Sequence, residues 1–133
     1  MIDIDGLLAA ATEARTNAYA PYSGFRVGAA LLDSAGRVYR GANVENAAYP
    51  LSTCAERVAV TAAVADGSRI FQAIAVVGPP DVGPAFPCGG CRQILHEFGP
   101  DMEVLIPDGA GGVHFLPLAS LFPNPFGADS LGT

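Results

Sequence analysis

Cysteine is scarce in this chain: 133 residues hold three. An odd and small number excludes a framework of disulfides and fits a reducing compartment. Basic residues are also few, 7 against 13 acidic ones, for a net charge of −6 and a sequence pI of about 4.6. They are scattered along the sequence, and a phosphate-tracking groove needs several Lys or Arg on one face, so nucleic acid is a poor candidate partner. The same shortage argues, with less force, against a small ligand that carries a phosphate. A neutral or cationic small molecule suits this composition better. No apolar run approaches the roughly 18 residues of a membrane span. Acids stand in Met1-Ile2-Asp3-Ile4-Asp5, where a signal or transit peptide would carry bases, so the expected location is the cytoplasm. Internal repeats, linkers and low-complexity stretches are missing as well.

What is present is a chain that is 50% hydrophobic and 15% charged, the balance of a globular protein able to bury a core. The expectation is one domain over residues 1–133, with 119–133 as a C-terminal tail. Leu7, Leu8, Ala11, Ala14 and Ala18 recur at helical spacing and predict a helix from Ile4 to Ala18 with Asp5 as its N-cap. Phe25 to Leu32 and Val38 to Asn43 read as strands joined by the turn Asp33-Ser34-Ala35-Gly36, an antiparallel hairpin. After a loop from Glu45 to Ser52, the Ala/Val-rich run Cys54 to Ala65 reads as a helix stopped by Asp66-Gly67. Ile70 to Gly78 has the continuous apolar character of a buried strand. A loop from Pro79 to Phe86 leads to a short helix, Gly90 to Phe98. Strands at Glu103–Pro107 and Val113–Pro117 and a short helix at Leu118–Phe122 complete the chain. This order predicts an α/β fold: a three-layer α/β/α arrangement around a central mixed sheet of about five strands.

The three cysteines carry the chemistry. Cys54 lies in Thr53-Cys54-Ala55-Glu56, and Cys88 and Cys91 lie in Pro87-Cys88-Gly89-Gly90-Cys91. Three thiolates on a zinc ion leave the fourth tetrahedral position open to water, and a nearby carboxylate can move that water's protons. A structural zinc normally takes a fourth Cys or His, and no fourth cysteine exists. Both motifs fall at expected helix starts, where free N–H groups and partial positive charge stabilise thiolates. Three thiolates on Zn²⁺ leave a net −1 charge, which Arg57 or Arg92 is placed to offset, Arg57 the better. Blander readings remain. Thr53-x-x-Glu56 is also a capping box, which alone would account for Glu56. The C-x-x-C could be a redox pair, or the three cysteines simply apolar and buried. A non-catalytic zinc module could complete its site with His96, His114 or a partner chain. The joint pattern favours catalytic zinc.

At these residues the chain resembles the small zinc-dependent cytidine deaminases of free nucleosides. The similarity is carried by Ala18-Tyr19-Ala20-Pro21-Tyr22-Ser23, Phe25-Arg26-Val27-Gly28-Ala29-Ala30, Asn43-Val44-Glu45-Asn46-Ala47-Ala48-Tyr49-Pro50, Thr53-Cys54-Ala55-Glu56-Arg57 and Pro87-Cys88-Gly89-Gly90-Cys91-Arg92-Gln93. The family pattern of H-x-E followed by P-C-x-x-C is present with a cysteine as first ligand. The resemblance implies one Zn²⁺ per subunit on Cys54, Cys88 and Cys91, with Glu56 as proton shuttle and Arg57 bonding the thiolates. It implies that Asn43 and Glu45 hold the ribose, that Phe25 stacks on the pyrimidine, and that backbone near Ala55 and Cys88 reads the base edge. It further implies a homotetramer in which Tyr49 and Phe126 reach a neighbouring subunit's site. On a strand-like stretch Asn43 and Glu45 share a side while Val44 faces the core. The implied activity is hydrolytic deamination of cytidine and 2′-deoxycytidine in pyrimidine salvage. A deaminase of aminopyrimidine nucleoside antibiotics is the nearest rival, and a thiol redox protein a more distant one.

Overall fold

The computed structural model describes residues 1–132. Asp3, one residue before the first helix, accepts from the Gly6 N–H at 3.0 Å and is the N-cap of α1 (Ile4–Arg15). Asp5 therefore lies inside the first turn, not at the cap expected for it. The helix also ends before Ala18. Thr16, Asn17 and Ala18 instead bond back three residues, to Glu13, Ala14 and Arg15, so the winding tightens into a 3₁₀-like turn. The buried stripe is Leu7, Ala10, Ala11 and Ala14.

A hairpin follows, β1 (Gly28–Asp33) and β2 (Val38–Ala42), and then α2 (Ala55–Ala65), β3 (Phe71–Val77) and α3 (Gly89–Phe98). Strands β4 (Glu103–Pro107) and β5 (Val113–Pro117) and the short helix α4 (Leu118–Leu121) come last, with single 3₁₀ turns at Tyr49–Leu51 and Ala128–Leu131. The first strand starts later than expected, at Gly28. Phe25 and Val27 are held by Asn43, whose side-chain amide bonds the Phe25 carbonyl and the Val27 N–H and whose own N–H reaches the Val27 carbonyl at 3.2 Å. The sheet order is β2-β1-β3-β4-β5; β3 and β4 run parallel across the α3 crossover and every other pair is antiparallel.

Alternation along the strands splits the core in two. On one face Ala29, Leu31, Ile74, Val76, Val104 and Ile106 pack under α2 and α3. On the other, Ala30, Ala73, Ala75 and Leu105 meet Leu7, Ala10 and Ala11 of α1. This is the three-layer mixed sheet that the element order predicts. Two glycines set how close the layers come. A Cβ on Gly28 would stand 2.0 Å from the Ala11 carbonyl oxygen, and one on Gly41 would stand 2.3 Å from that of Ala55. Helix α2 is thereby seated against β2 at its first turn, beside Cys54.

The hairpin turn is tied down by Asp33, which is 1% exposed. Its carboxylate accepts from the Ala35 and Arg37 N–H groups, the Arg37 guanidinium and the Ser68 hydroxyl. Burial opposes its charge, but the bonds from Arg37, Ser68 and Ala35 outweigh burial and hold the carboxyl below its ordinary range.

Candidate active site and metal centre

Cys54 is the N-cap residue of α2 and Cys88 that of α3, each with extended backbone, φ −70° and −67°. Neither uses its side chain to cap its helix. Cys91 enters from the first turn of α3, almost fully buried. The three sulfur atoms lie within 4.8 Å of one another. Sulfurs on a tetrahedral zinc at ~2.3 Å stand about 3.8 Å apart, so the donor set and its spacing fit that ion.

The thiols bond to one another. Hydrogen bonding from Cys91 is the main influence lowering Cys54 to about 6, with Cys88 and the charge of Arg57 adding to it against the cost of burial. Cys91 is pushed up, first because it donates to Cys54 and then by burial and the charge of Glu56. Three sulfurs this close can all be thiolates only with a cation between them.

Glu56 is the second residue of α2 and is 6% exposed. Burial raises its pKa, and the neighbouring charge of Cys54 adds to the rise. The capping-box reading fails: the N-cap is Cys54, and the Thr53 hydroxyl is turned back to the Leu51 carbonyl at 3.4 Å. Arg57 is exposed and acts on Cys54 through its charge. Arg92 is committed elsewhere. Its guanidinium donates to the Pro87 carbonyl at 2.7 Å and the Leu121 carbonyl at 2.6 Å, tying the residue before Cys88 to α4. Neither histidine joins the sulfur cluster among the described residues. His96 meets the ring of Phe122 and His114 that of Phe86. No side chain of the described residues closes a fourth position.

Beside the sulfurs opens a cavity of about 510 Å³, lined by Cys54, Ala55, Glu56 and Cys88, by Phe25, Asn43 and Glu45, and by Ser23, Val27, Val76 and Pro84 to Phe86. That volume suits a small molecule. Phe25, Asn43 and Glu45 thus line the same cavity as Cys54, Glu56 and Cys88. Val44 departs from expectation. Its side chain is 48% exposed rather than turned to the core, because strand β2 ends at Ala42 and Val44 only bridges Tyr19 and Thr53.

Asn43 and Glu45 also brace the segment before β1. Asn43 donates to the Phe25 carbonyl and accepts from the Val27 N–H, both at 2.8 Å. Glu45 accepts from the Tyr22 and Ser23 N–H groups and from the Ser23 hydroxyl. The Ser23 bond is the leading cause that lowers the pKa of Glu45. Tyr49 stands outside the cavity, 70% exposed and edge-on to Tyr22. Phe126, 57% exposed, does not line it either; its carbonyl accepts from Gln93 on α3. The wall formed by Pro84, Ala85 and Phe86 was not foreseen. Its one sequence signal is an apolar, proline-rich loop running directly into Pro87-Cys88.

Three cysteine sulfurs gathered where one zinc ion fits, with a buried carboxylate beside them on this mixed sheet, match the pattern of the zinc-dependent hydrolytic deaminases. The family model described as the cytidine and deoxycytidylate deaminase zinc-binding region matches residues 1–106, and the chain belongs to that family. It is 44% identical over 131 residues to the cytidine deaminase of Sporosarcina psychrophila, covering 98% of this chain and 96% of that one. The crystal structure of cytidine deaminase from Burkholderia pseudomallei matches with a TM-score of 0.87 and 48% identity, over 95% of this chain and 100% of that one. The crystal structure from Mycobacterium tuberculosis matches at 0.83 and 40%, over 96% and 99%. No helix among the described residues is long and apolar enough to cross a membrane.

Proposed function

We propose that this protein deaminates free cytidine and 2′-deoxycytidine to uridine and 2′-deoxyuridine with release of ammonia. The family description covers nucleosides and nucleotides, and the charge of the cavity carries the choice between them. Glu45 and Glu56 line it, and among the described residues no Lys, Arg or His does. A 5′-phosphate would meet two carboxylates and no counter-charge, whereas a nucleoside meets no such penalty.

Zinc, when bound by Cys54, Cys88 and Cys91, supplies a Lewis acid that makes water acidic near neutral pH. Glu56, ionised at the outset, takes a proton from the attacking water and delivers it to N3 of the base, so that C4 becomes more electrophilic. Once the oxygen has bonded to C4, Glu56 takes the remaining proton from that C4 hydroxyl and passes it to the exocyclic amine; the C4–N bond breaks, the C4 carbonyl forms and ammonia leaves. One carboxylate serves as base and then as acid, so its position governs the rate. Phe25 stacks on the pyrimidine, Asn43 and Glu45 hold the ribose, and backbone at Ala55 and Cys88 reads the base edge. Arg57 offsets the charge of the thiolates.

The proposed setting is a single deaminase domain working in the cytoplasm in pyrimidine salvage, assembled as a homotetramer. Tyr19, Tyr22, Val44, Tyr49 and Leu51 are all large and exposed, which favours burial between subunits. Tyr49 and Phe126 then complete a neighbour's site. The test is ammonia release from cytidine, from 2′-deoxycytidine and from deoxycytidine 5′-monophosphate. Turnover of the two nucleosides with none of the nucleotide is expected; preference for the nucleotide would refute the assignment.

A further inference from the structure

Ser23 lies in the turn between α1 and β1, closed by the Gly24 N–H bonding the Ala20 carbonyl at 2.9 Å. Its hydroxyl joins two parts of the cavity wall. It donates to Oε2 of Glu45 and accepts from the Phe25 N–H at 2.9 Å. The polarity is fixed, because an ionised carboxylate cannot donate.

Counting acceptor positions on Glu45 shows what this does. A carboxylate has about four of them, two on each oxygen. The Tyr22 and Ser23 N–H groups take both on Oε1, at 2.9 and 3.1 Å. Ser23 Oγ takes one on Oε2. A single acceptor position is left, on Oε2, in a carboxylate held at both oxygens. Such a position takes a hydroxyl donor and repels another acceptor. Without the Ser23 hydroxyl, Oε2 would have two open positions and no anchor.

We infer that Ser23 is a positioning residue for sugar recognition: its hydroxyl fixes Oε2 of Glu45 so that one acceptor position faces a ribose hydroxyl. This deepens the proposed function and rests on Glu45 as the residue that holds the sugar. Ser23 touches neither the base nor the metal centre in this scheme, so its effect belongs in KM and not in kcat.

The test compares Ser23→Ala and Ser23→Thr with the unaltered enzyme on cytidine and on 2′,3′-dideoxycytidine, which lacks the vicinal hydroxyls. Ser23→Ala should raise the KM for cytidine roughly tenfold, the worth of one hydrogen bond to a charged group, at nearly unchanged kcat. It should leave the KM for dideoxycytidine nearly unchanged, and Ser23→Thr should restore cytidine binding. An equal rise for both substrates would overturn the proposal, since Ser23 would then act by holding Phe25; so would a normal cytidine KM. Glu45→Gln separates the two layers. If it impairs cytidine binding while Ser23→Ala does not, only the role of Ser23 falls. If Glu45→Gln leaves the cytidine KM unchanged, the sugar-binding reading falls and the role of Ser23 falls with it.

Discussion

Cys54 and Cys88 occupy the N-caps of two different helices, α2 and α3, and neither sulfur caps its own helix. An N-cap side chain that accepts a backbone N–H contributes about 1 kcal/mol. Both positions forgo that contribution and bring their sulfurs together with Cys91. The local cost is recovered only if a metal joins the two helix ends, so ligation and folding are coupled here. Cys54→Ala is expected to lose zinc and thermal stability together. Metal analysis beside a thermal melt checks this; normal zinc content would remove Cys54 from the centre.

Glu56 separates from the ligands in the opposite way. It is buried beside the sulfurs and supplies none of the cluster. Glu56→Ala should therefore keep its zinc while turnover falls by at least ~10², the lower end for a positioned acid/base. Zinc content and steady-state rates on one preparation give the answer, and near-normal turnover would return Glu56 to a structural part.

A stability prediction concerns Asp33, remote from the cavity. Its carboxylate is held below the ordinary range despite burial, through bonds from Arg37, Ser68 and Ala35. Asp33→Asn should destabilise the fold by about 2 kcal/mol, the scale of lost hydrogen bonds to a charged group. The sign with pH follows from linkage. A carboxyl depressed on folding contributes its stability above the unfolded value of about 3.9, and loses it as pH falls through the folded value. Urea denaturation should show a gap between wild type and variant that holds down to about pH 4 and narrows below it. A gap that widens in acid would contradict this.

Much of this architecture is legible in the sequence. Glu103–Pro107 and Val113–Pro117 are bounded by their own turn residues, and the structure gives β4 and β5 the same limits. The metal centre is legible because C-x-x-C places two sulfurs on one helical turn and C-x-E places a sulfur and a carboxylate at another helix start. What failed depended on contacts distant in sequence. Strand periodicity carried through Val44 mispredicts its side, since β2 has stopped at Ala42 and the next residues pair with Tyr19 and Thr53. Phe25 looks like the start of a strand, but its carbonyl is claimed by an amide 18 positions away. The loop from Pro84 to Phe86 becomes a cavity wall only once β3 and α3 are placed. Locally, Asp3 and Asp5 are chemically equal candidates for the cap, and a phase difference of two residues decides between them.

The most direct test follows loss of ultraviolet absorbance as cytidine is deaminated, with zinc quantified on the same sample before chelation, after it, and after zinc is returned. The account predicts that rate falls in step with bound zinc and recovers with it. Full activity in protein shown to be free of metal would contradict it.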